Sequence, residues 1–281
     1  MTTTLIVGCG YLGRRVGRLL ADSDETVFGT TRSPANFERL RAWGVQPIVA
    51  DVLDAPSLKA LPTVDRVFVA VGFDRRSGTS IGDVYVNGLR RLMDALLADH
   101  WAYASSTGVY GQANGEWVDE TSPTVPATES GRACLLAERA LLAAAPSAVV
   151  LRYAGLYGPG RVIRRQAIER GEPLPGDPER TLNLVHIDDA ARAAVQALQR
   201  PGLANVFNVC DDRPAPRREY YALVAQWVGA PAPRFDAGVP TRDDAHKRVR
   251  NQRMRESLLT TLLYPDIITG VPAALARDDA P

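Results

Sequence analysis

The stretch Thr4-Leu5-Ile6-Val7-Gly8-Cys9-Gly10-Tyr11-Leu12-Gly13 decides the reading of this chain. A short β-rich run ends on glycines spaced GxGxxG, and Tyr11 to Ala21 then carries apolar residues at helical spacing. Thr26 to Thr30 is again strand-like, which completes a βαβ unit. Outward from it, Phe37 to Trp43 reads as helix, Gln46 to Ala50 and Arg66 to Val71 as strands, and Val84 to Ala98 as a long helix. Trp101 to Ser105 (strand), Gly131 to Ala145 (helix) and Ala148 to Tyr153 (strand) follow. Strands apolar on both faces belong inside a parallel sheet covered by helices, so the pattern predicts an α/β fold built on a doubly wound parallel sheet.

After Tyr153 the rhythm changes. Gly155 to Gly160 and Gly171 to Gly176 are turn-rich, and a second, smaller lobe is expected to begin there. The predicted division is a core over 1–155 and a C-terminal lobe over 156–281, with 183–210 packing back on the core. Val162 to Glu169 and Arg218 to Val228 read as helices of the lobe, and Pro231 to Arg242 as a loop. Asp188 to Leu198 and Val206 to Val209 are expected on the sheet, and Arg277 to Pro281 is expected to fray.

Between a strand and a helix, GxGxxG has a physical meaning. Gly8 permits the tight turn, Gly10 lets a pyrophosphate approach the backbone, and Gly13 lets helix and strand pack closely. The helix N-terminus adds amides without intrahelical acceptors and a positive dipole end. Tyr11, Leu12, Val52, Ala70, Val71 and Gly72 complete the expected cofactor set. At the end of the second strand, where a carboxylate would bind the ribose hydroxyls, the sequence reads Thr30-Thr31-Arg32-Ser33. Arg32 and Ser33 suit a 2′-phosphate, so NADP(H) is expected over NAD(H). The alternative is that Arg32 is a solvated loop charge. Asp51 is placed to meet the adenine edge.

Composition narrows the remaining classes. The 281 residues carry 33 basic and 32 acidic side chains, a net charge of +1 that gives no field for gripping a nucleic-acid backbone. Cys9, Cys134 and Cys210 are odd in number and far apart, which suits a reducing compartment, and no CxxC or HxxxH spacing suggests a metal. No apolar run reaches the roughly 20 residues a membrane span needs. Met1 to Val7 shows no targeting pattern, so a cytoplasmic location is expected.

The chain resembles the extended short-chain dehydrogenase/reductase superfamily, also described as the NAD-dependent epimerase/dehydratase family, with its Rossmann-type core. The resemblance is carried by Gly8 to Gly13, Asp51-Val52-Leu53-Asp54, Val86-Asn87-Gly88, Ser105-Ser106-Thr107-Gly108-Val109-Tyr110-Gly111, Arg152 with Leu156-Tyr157-Gly158-Pro159-Gly160-Arg161, and Asn183 to Ala190. It implies an oxidoreductase or epimerase acting on a sugar-like or other small hydroxyl- or carbonyl-bearing molecule. It also implies a homodimer through the helices at Val84 to Ala98 and Gly131 to Ala145. The family moves a proton through a tyrosine whose pKa is lowered by a lysine four residues on, because an unassisted phenol near pKa 10 is a poor base at neutral pH. A serine or threonine binds the substrate oxygen and an asparagine supports the set.

Here the resemblance breaks at its chemical centre. With Glu138 as anchor, Ser130 stands at the tyrosine position and Cys134 at the lysine position. Ser106 and Asn87 keep the serine and asparagine positions and are the catalytic candidates. A serine hydroxyl has no accessible pKa for a proton relay, and a thiol supplies no fixed positive charge. Arg132 is a candidate replacement for the lysine, Tyr110, Tyr153 and Tyr157 for the acid, and Cys134 for a reactive thiol. Thr107, Tyr110, Arg152, Tyr157 and Arg161 are the expected substrate-side residues. Arg152, Arg161 and Arg164 are candidates to face a phosphorylated or carboxylated group, or else are surface charge. The run Arg242, Lys247, Arg248, Arg250, Arg253, Arg255 suggests an anionic partner such as a sugar nucleotide's diphosphate. His186 reads as structural, with Asp188 as a helix cap, and Trp101, Trp117 and Trp227 as packing residues. Two functions stay open: an atypical NADP(H)-dependent enzyme, and an NADP(H)-binding sensor without turnover.

Overall fold

The central sheet of the computed structural model has seven strands, β1 (Thr3–Val7), β2 (Thr26–Thr31), β3 (Gln46–Val49), β4 (Arg66–Val69), β5 (His100–Ser106), β6 (Val149–Tyr153) and β7 (Val206–Val209). Residues 2–277 are described, apart from 201, 204, 237 and 239–245. The strands lie in the order β7-β6-β5-β4-β1-β2-β3, and each neighbouring pair is parallel. The chain therefore runs outward from β1 in one direction, then returns to β4 on the other side of β1. The crevice at the carboxyl ends of β1 and β4 is the topological switch point where such sheets take ligands.

The strand pattern follows from side-chain alternation. Leu5 and Val7, Val67 and Val69, and Trp101 and Tyr103 point into one apolar cluster, while Ile6, Phe68 and Ala102 point into the other. Both faces are dry, which is why these segments read as continuous apolar runs. The helices Gly88–Ala95 and Glu129–Ala144 cover the first face with Leu89, Leu92, Ala137 and Leu141. The second is covered by α1 (Gly13–Ala21), through Val16 and Leu20, and by Ile187–Gln199, whose alanines allow close packing. The segments at 187–199 and 206–209 thus lie on the core sheet. A third cluster, around Tyr157, Ile168, Leu174, Tyr220, Val224, Ile267 and Val271, is the interior of a smaller lobe built from Arg165–Glu169, Arg217–Val228 and Ile267–Ala276.

Several expectations need correction. The long helix predicted over Val84 to Ala98 opens as a π-helical turn, Asp83–Asn87, and its α-helix stops at Ala95. The helix predicted from Val162 begins only at Arg165, because Arg164 is left-handed at φ 62°. The cap of Ile187–Gln199 is His186, not Asp188: its Nδ1 accepts from the Asp188 amide at 3.3 Å. Trp101 is buried, whereas Trp117 and Trp227 are exposed, Trp117 between Arg248 and Arg250. Within the predicted loop, Phe235–Asp236 pairs with Leu174–Pro175. Arg242 and the tail beyond Arg277 lie outside the described residues.

Candidate functional site

A cleft of ≈ 680 Å³ opens at the switch point and is lined by the loops that follow β1, β2, β3 and β4. Its floor is the glycine loop. Val7 and Val69 are register partners, and the Ala70 amide donates to the Val7 carbonyl at 2.8 Å, so the two strand ends emerge side by side. Gly8 sits at φ 96°, where a Cβ would lie 2.6 Å from the Ala70 carbonyl oxygen. A Cβ on Gly13 would lie 2.4 Å from the Gly8 carbonyl, so both positions exclude any larger residue. A Cβ on Gly10, by contrast, would meet nothing within 4 Å. The middle glycine thus faces open cleft, the place a Cβ would fill and a diphosphate needs, beside the start of α1 where Tyr11 and Leu12 also line the wall. The loop fits a dinucleotide's pyrophosphate.

At the end formed by β2 and β3, Thr30, Thr31, Arg32, Asp51 and Val52 line the cleft together with Asn36 and Arg39. Asn36 Nδ2 donates to Thr31 Oγ1 at 2.9 Å, and Arg39 Nη2 donates to Asn36 Oδ1 at 3.0 Å, which brings Arg39 to the same rim as Arg32. Sequence reading missed Arg39 and Asn36. Their i,i+3 spacing at the start of the helix Phe37–Ala42 is the signal that could have found them. Ser33 is not among the lining residues; its hydroxyl instead accepts from the Ala35 amide and caps the turn Pro34–Asn36. Asp51 is partly engaged, accepting from the Leu53 amide at 2.9 Å.

The opposite end is lined by Ala70, Val71, Gly72, Ala104, Ser105, Tyr153, Leu156 and Arg161. Ser105 lines the cleft and Ser106 does not: Ser106 Oγ accepts from the Gly108 amide at 3.0 Å and caps the turn Thr107–Val109. Ser105 Oγ donates to Glu138 Oε1. Glu138 in turn receives Arg152 Nη2 at 2.7 Å and Nε at 3.1 Å. Arg152 Nη1 donates to the Tyr110 hydroxyl at 2.8 Å, and that hydroxyl donates to Asn208 Oδ1 at 2.8 Å. Tyr110, Arg152 and Glu138 are buried, so this chain of groups braces β5 and β6 from beneath the cleft.

The hydroxyls of the three candidate tyrosines are engaged elsewhere, although Tyr153 itself lines the cleft. Tyr110 is bonded within the network above, Tyr153 donates to the Ala190 carbonyl at 3.1 Å, and Tyr157 donates to the Asp266 carbonyl at 3.5 Å. Burial pushes all three phenols above their ordinary range. Arg132 is exposed and donates to the Ala127 carbonyl at 3.3 Å. The Cys134 thiol is buried, and desolvation with the nearby Glu138 carboxylate pushes it up to about 12, so it is not a reactive thiol. Ser130 shares a hydrogen bond with Thr128 at 3.2 Å, and Asn87 Nδ2 donates to Asp83 at 2.8 Å. Thr107 is buried in the turn after β5.

The described part of the basic run near the C-terminus does not converge on one site. Lys247 Nζ donates to the Tyr110 carbonyl at 2.9 Å, Arg248 to the Gly115 carbonyl at 2.8 Å, and Arg255 faces Asp212 at 3.5 Å. Among the described residues no cluster of three His, Cys, Asp or Glu forms a metal site. No helix among them is long and apolar enough to cross a membrane.

The protein YeeZ of Escherichia coli strain K12 is 32% identical over 275 residues, covering 95% of this chain and 97% of its own. The NAD(P)H azoreductase of Xenophilus azovorans is 26% identical over 281 residues, covering 95% of this chain and 89% of its own. The solved structure of a conserved protein of unknown function from Silicibacter pomeroyi DSS superposes with a TM-score of 0.81 at 29% identity, covering 100% of both chains. Residues 4–210 match the family described as NAD dependent epimerase/dehydratase, and the chain belongs to that family.

Proposed function

We propose that this protein is an NADP(H)-dependent oxidoreductase acting on a small hydroxyl- or carbonyl-bearing substrate of sugar-like size, without the tyrosine–lysine relay of its family. The observation that carries the reading is one continuous cleft with Arg32 and Arg39 at its adenosine end and Ser105 at the other. Amides at the start of α1 hold the diphosphate, and the two guanidiniums take the 2′-phosphate through charge-assisted hydrogen bonds. The bound nicotinamide supplies hydride transfer. Ser105, oriented by Glu138, meets the substrate oxygen. The proton is exchanged with water in the open cleft, since Tyr110, Tyr153 and Tyr157 are bonded inside the core. The related NAD(P)H azoreductase carries a nicotinamide-dependent reduction in its name, which supports a reductive reading.

Ser130 and Cys134 favour a second reading, a protein that binds NADP(H) and reports its redox state without turnover. Absorbance at the nicotinamide band separates the two. A panel of sugar nucleotides, aldehydes, ketones and azo compounds is expected to yield at least one that oxidises bound NADPH. Tight NADPH binding with no change across the panel replaces the enzyme with the sensor.

A further inference from the structure

The cofactor cleft has a neighbour in the second lobe. Residues between Gly160 and Glu172 line an open surface groove of ≈ 620 Å³ in which Arg161 and Arg164 are solvent-exposed, and Arg161 lines both it and the cofactor cleft. Arg161, Arg164, Arg165 and Arg170 face this space against Glu169 and Glu172. Arg165 is paired with Glu169 at 2.7 Å and Arg170 with Glu172 at 2.6 Å. Among the described residues, neither Arg161 nor Arg164 has a carboxylate within ion-pair distance.

Both remaining cations are held in place. Gly158 and Arg161 exchange backbone hydrogen bonds of 3.2 and 2.9 Å, closing a tight turn. The Arg161 guanidinium lies 5.6 Å from the centroid of the Tyr11 ring, whose hydroxyl donates to the Pro159 carbonyl at 3.0 Å. The phosphate loop itself thus anchors the turn that presents Arg161. Arg164 is left-handed at φ 62° and stands beside the Tyr221 phenol. Glycine would adopt that backbone without strain, so an arginine there is kept at a conformational cost, a pattern concentrated at ligand clamps.

We propose that this groove is an anion subsite for the substrate, in which Arg161 and Arg164 receive a carboxylate-bearing small molecule beside the cofactor cleft. Planar guanidiniums match a carboxylate with two parallel hydrogen bonds, and the other two arginines of the same wall already hold carboxylates. Two cations with no counter-ion among the described residues, on one wall, favour an acid over its neutral analogue. The proposal rests on the oxidoreductase reading above and sharpens its substrate class.

Malonate is the probe, titrated by calorimetry and by thermal melting at constant ionic strength, with chloride as control and inorganic phosphate as the alternative anion. The wild-type protein is expected to saturate with malonate and to melt higher in its presence. Arg161→Gln and Arg164→Gly are each expected to weaken malonate binding by about tenfold or more. Arg164→Gly is also expected to melt above wild type without malonate, because the left-handed strain is relieved, so its lost affinity is not lost folding. Unchanged malonate affinity in Arg164→Gly, or a response that chloride reproduces, overturns the subsite. Tighter binding of phosphate than of malonate overturns the carboxylate assignment. Wild-type NADPH affinity measured alongside keeps the two claims apart: malonate binding without NADPH binding sinks the oxidoreductase reading, and NADPH binding without malonate binding sinks the subsite alone.

Discussion

At the diphosphate end of the cleft the surface is made of backbone: glycines, first-turn amides and a strand register that sets Gly8 against Ala70. At the reaction end it is made of side chains, and where the sequence resemblance leads one to expect a tyrosine and a lysine the chain is read to carry Ser130 and Cys134. Ser105 lines the cleft and is bonded to Glu138, and Glu138, Arg152, Tyr110 and Asn208 are bonded to one another beneath it. Backbone that holds a ligand is dictated by the fold and survives as long as the fold does. Chemistry carried by side chains can drift while the fold stays, so cofactor binding follows from architecture here and turnover does not.

The contrast breaks most visibly at Glu138. If the reaction end has become a structural brace, Glu138→Ala leaves Arg152 buried beside an empty site and lowers stability by about 3–5 kcal/mol in urea unfolding. A loss below about 1 kcal/mol would mean that the network is not a brace. At the other end, Gly8→Ala forces a Cβ against the Ala70 carbonyl at positive φ, and is expected to lower stability by about 2–4 kcal/mol and to abolish NADPH binding together. Full cofactor affinity in that variant would separate the loop from the ligand.

A smaller effect distinguishes His186. Burial holds its imidazole down to about 4, so the folded state keeps it neutral while the unfolded chain protonates near 6.5. The unfolded state then binds more protons in that window, and stability present above pH 6.5 is lost as the pH falls toward 4, by up to about 3 kcal/mol. His186→Gln is expected to flatten that part of the profile relative to wild type. Asp211, whose buried carboxyl is pushed well up by desolvation, shifts stability in the opposite sense but is common to both proteins, so it cancels in the difference. A profile unchanged by His186→Gln would show that the histidine is not held neutral.

The smallest expected effect is chemical silence. With the Cys134 thiol pushed up to about 12, its thiolate at pH 8 is on the order of one part in ten thousand. A thiol reagent should leave native Cys9, Cys134 and Cys210 unlabelled and label all three after denaturation. Rapid modification of Cys134 in the native protein would return it to the list of reactive groups.

The sheet was legible in the sequence because its strands are apolar on both faces and separated by helices of clear period, from Thr3–Val7 to Val149–Tyr153. The end formed by β2 and β3 was half legible: Arg32 stands in the loop after β2 and lines the cleft, but Arg39 reaches the rim only through Asn36, a contact that depends on the turn Pro34–Asn36. Whether Ser105 or Ser106 meets the cleft could not be read, since adjacent residues at a strand end differ only in which way the pleat points them. The burial of Tyr110, Tyr153 and Tyr157 was equally hidden, because their partners Asn208, Ala190 and Asp266 are between 37 and 109 residues away in the chain.

Calorimetric titration of NADPH and NADH into the wild-type protein and into the Arg32→Ala/Arg39→Ala double variant tests the central claim most directly. The account predicts that wild type binds NADPH about tenfold or more tightly than NADH, and that the double variant loses this preference while still binding both. No heat with either coenzyme, or a preference untouched by removing both arginines, would contradict it.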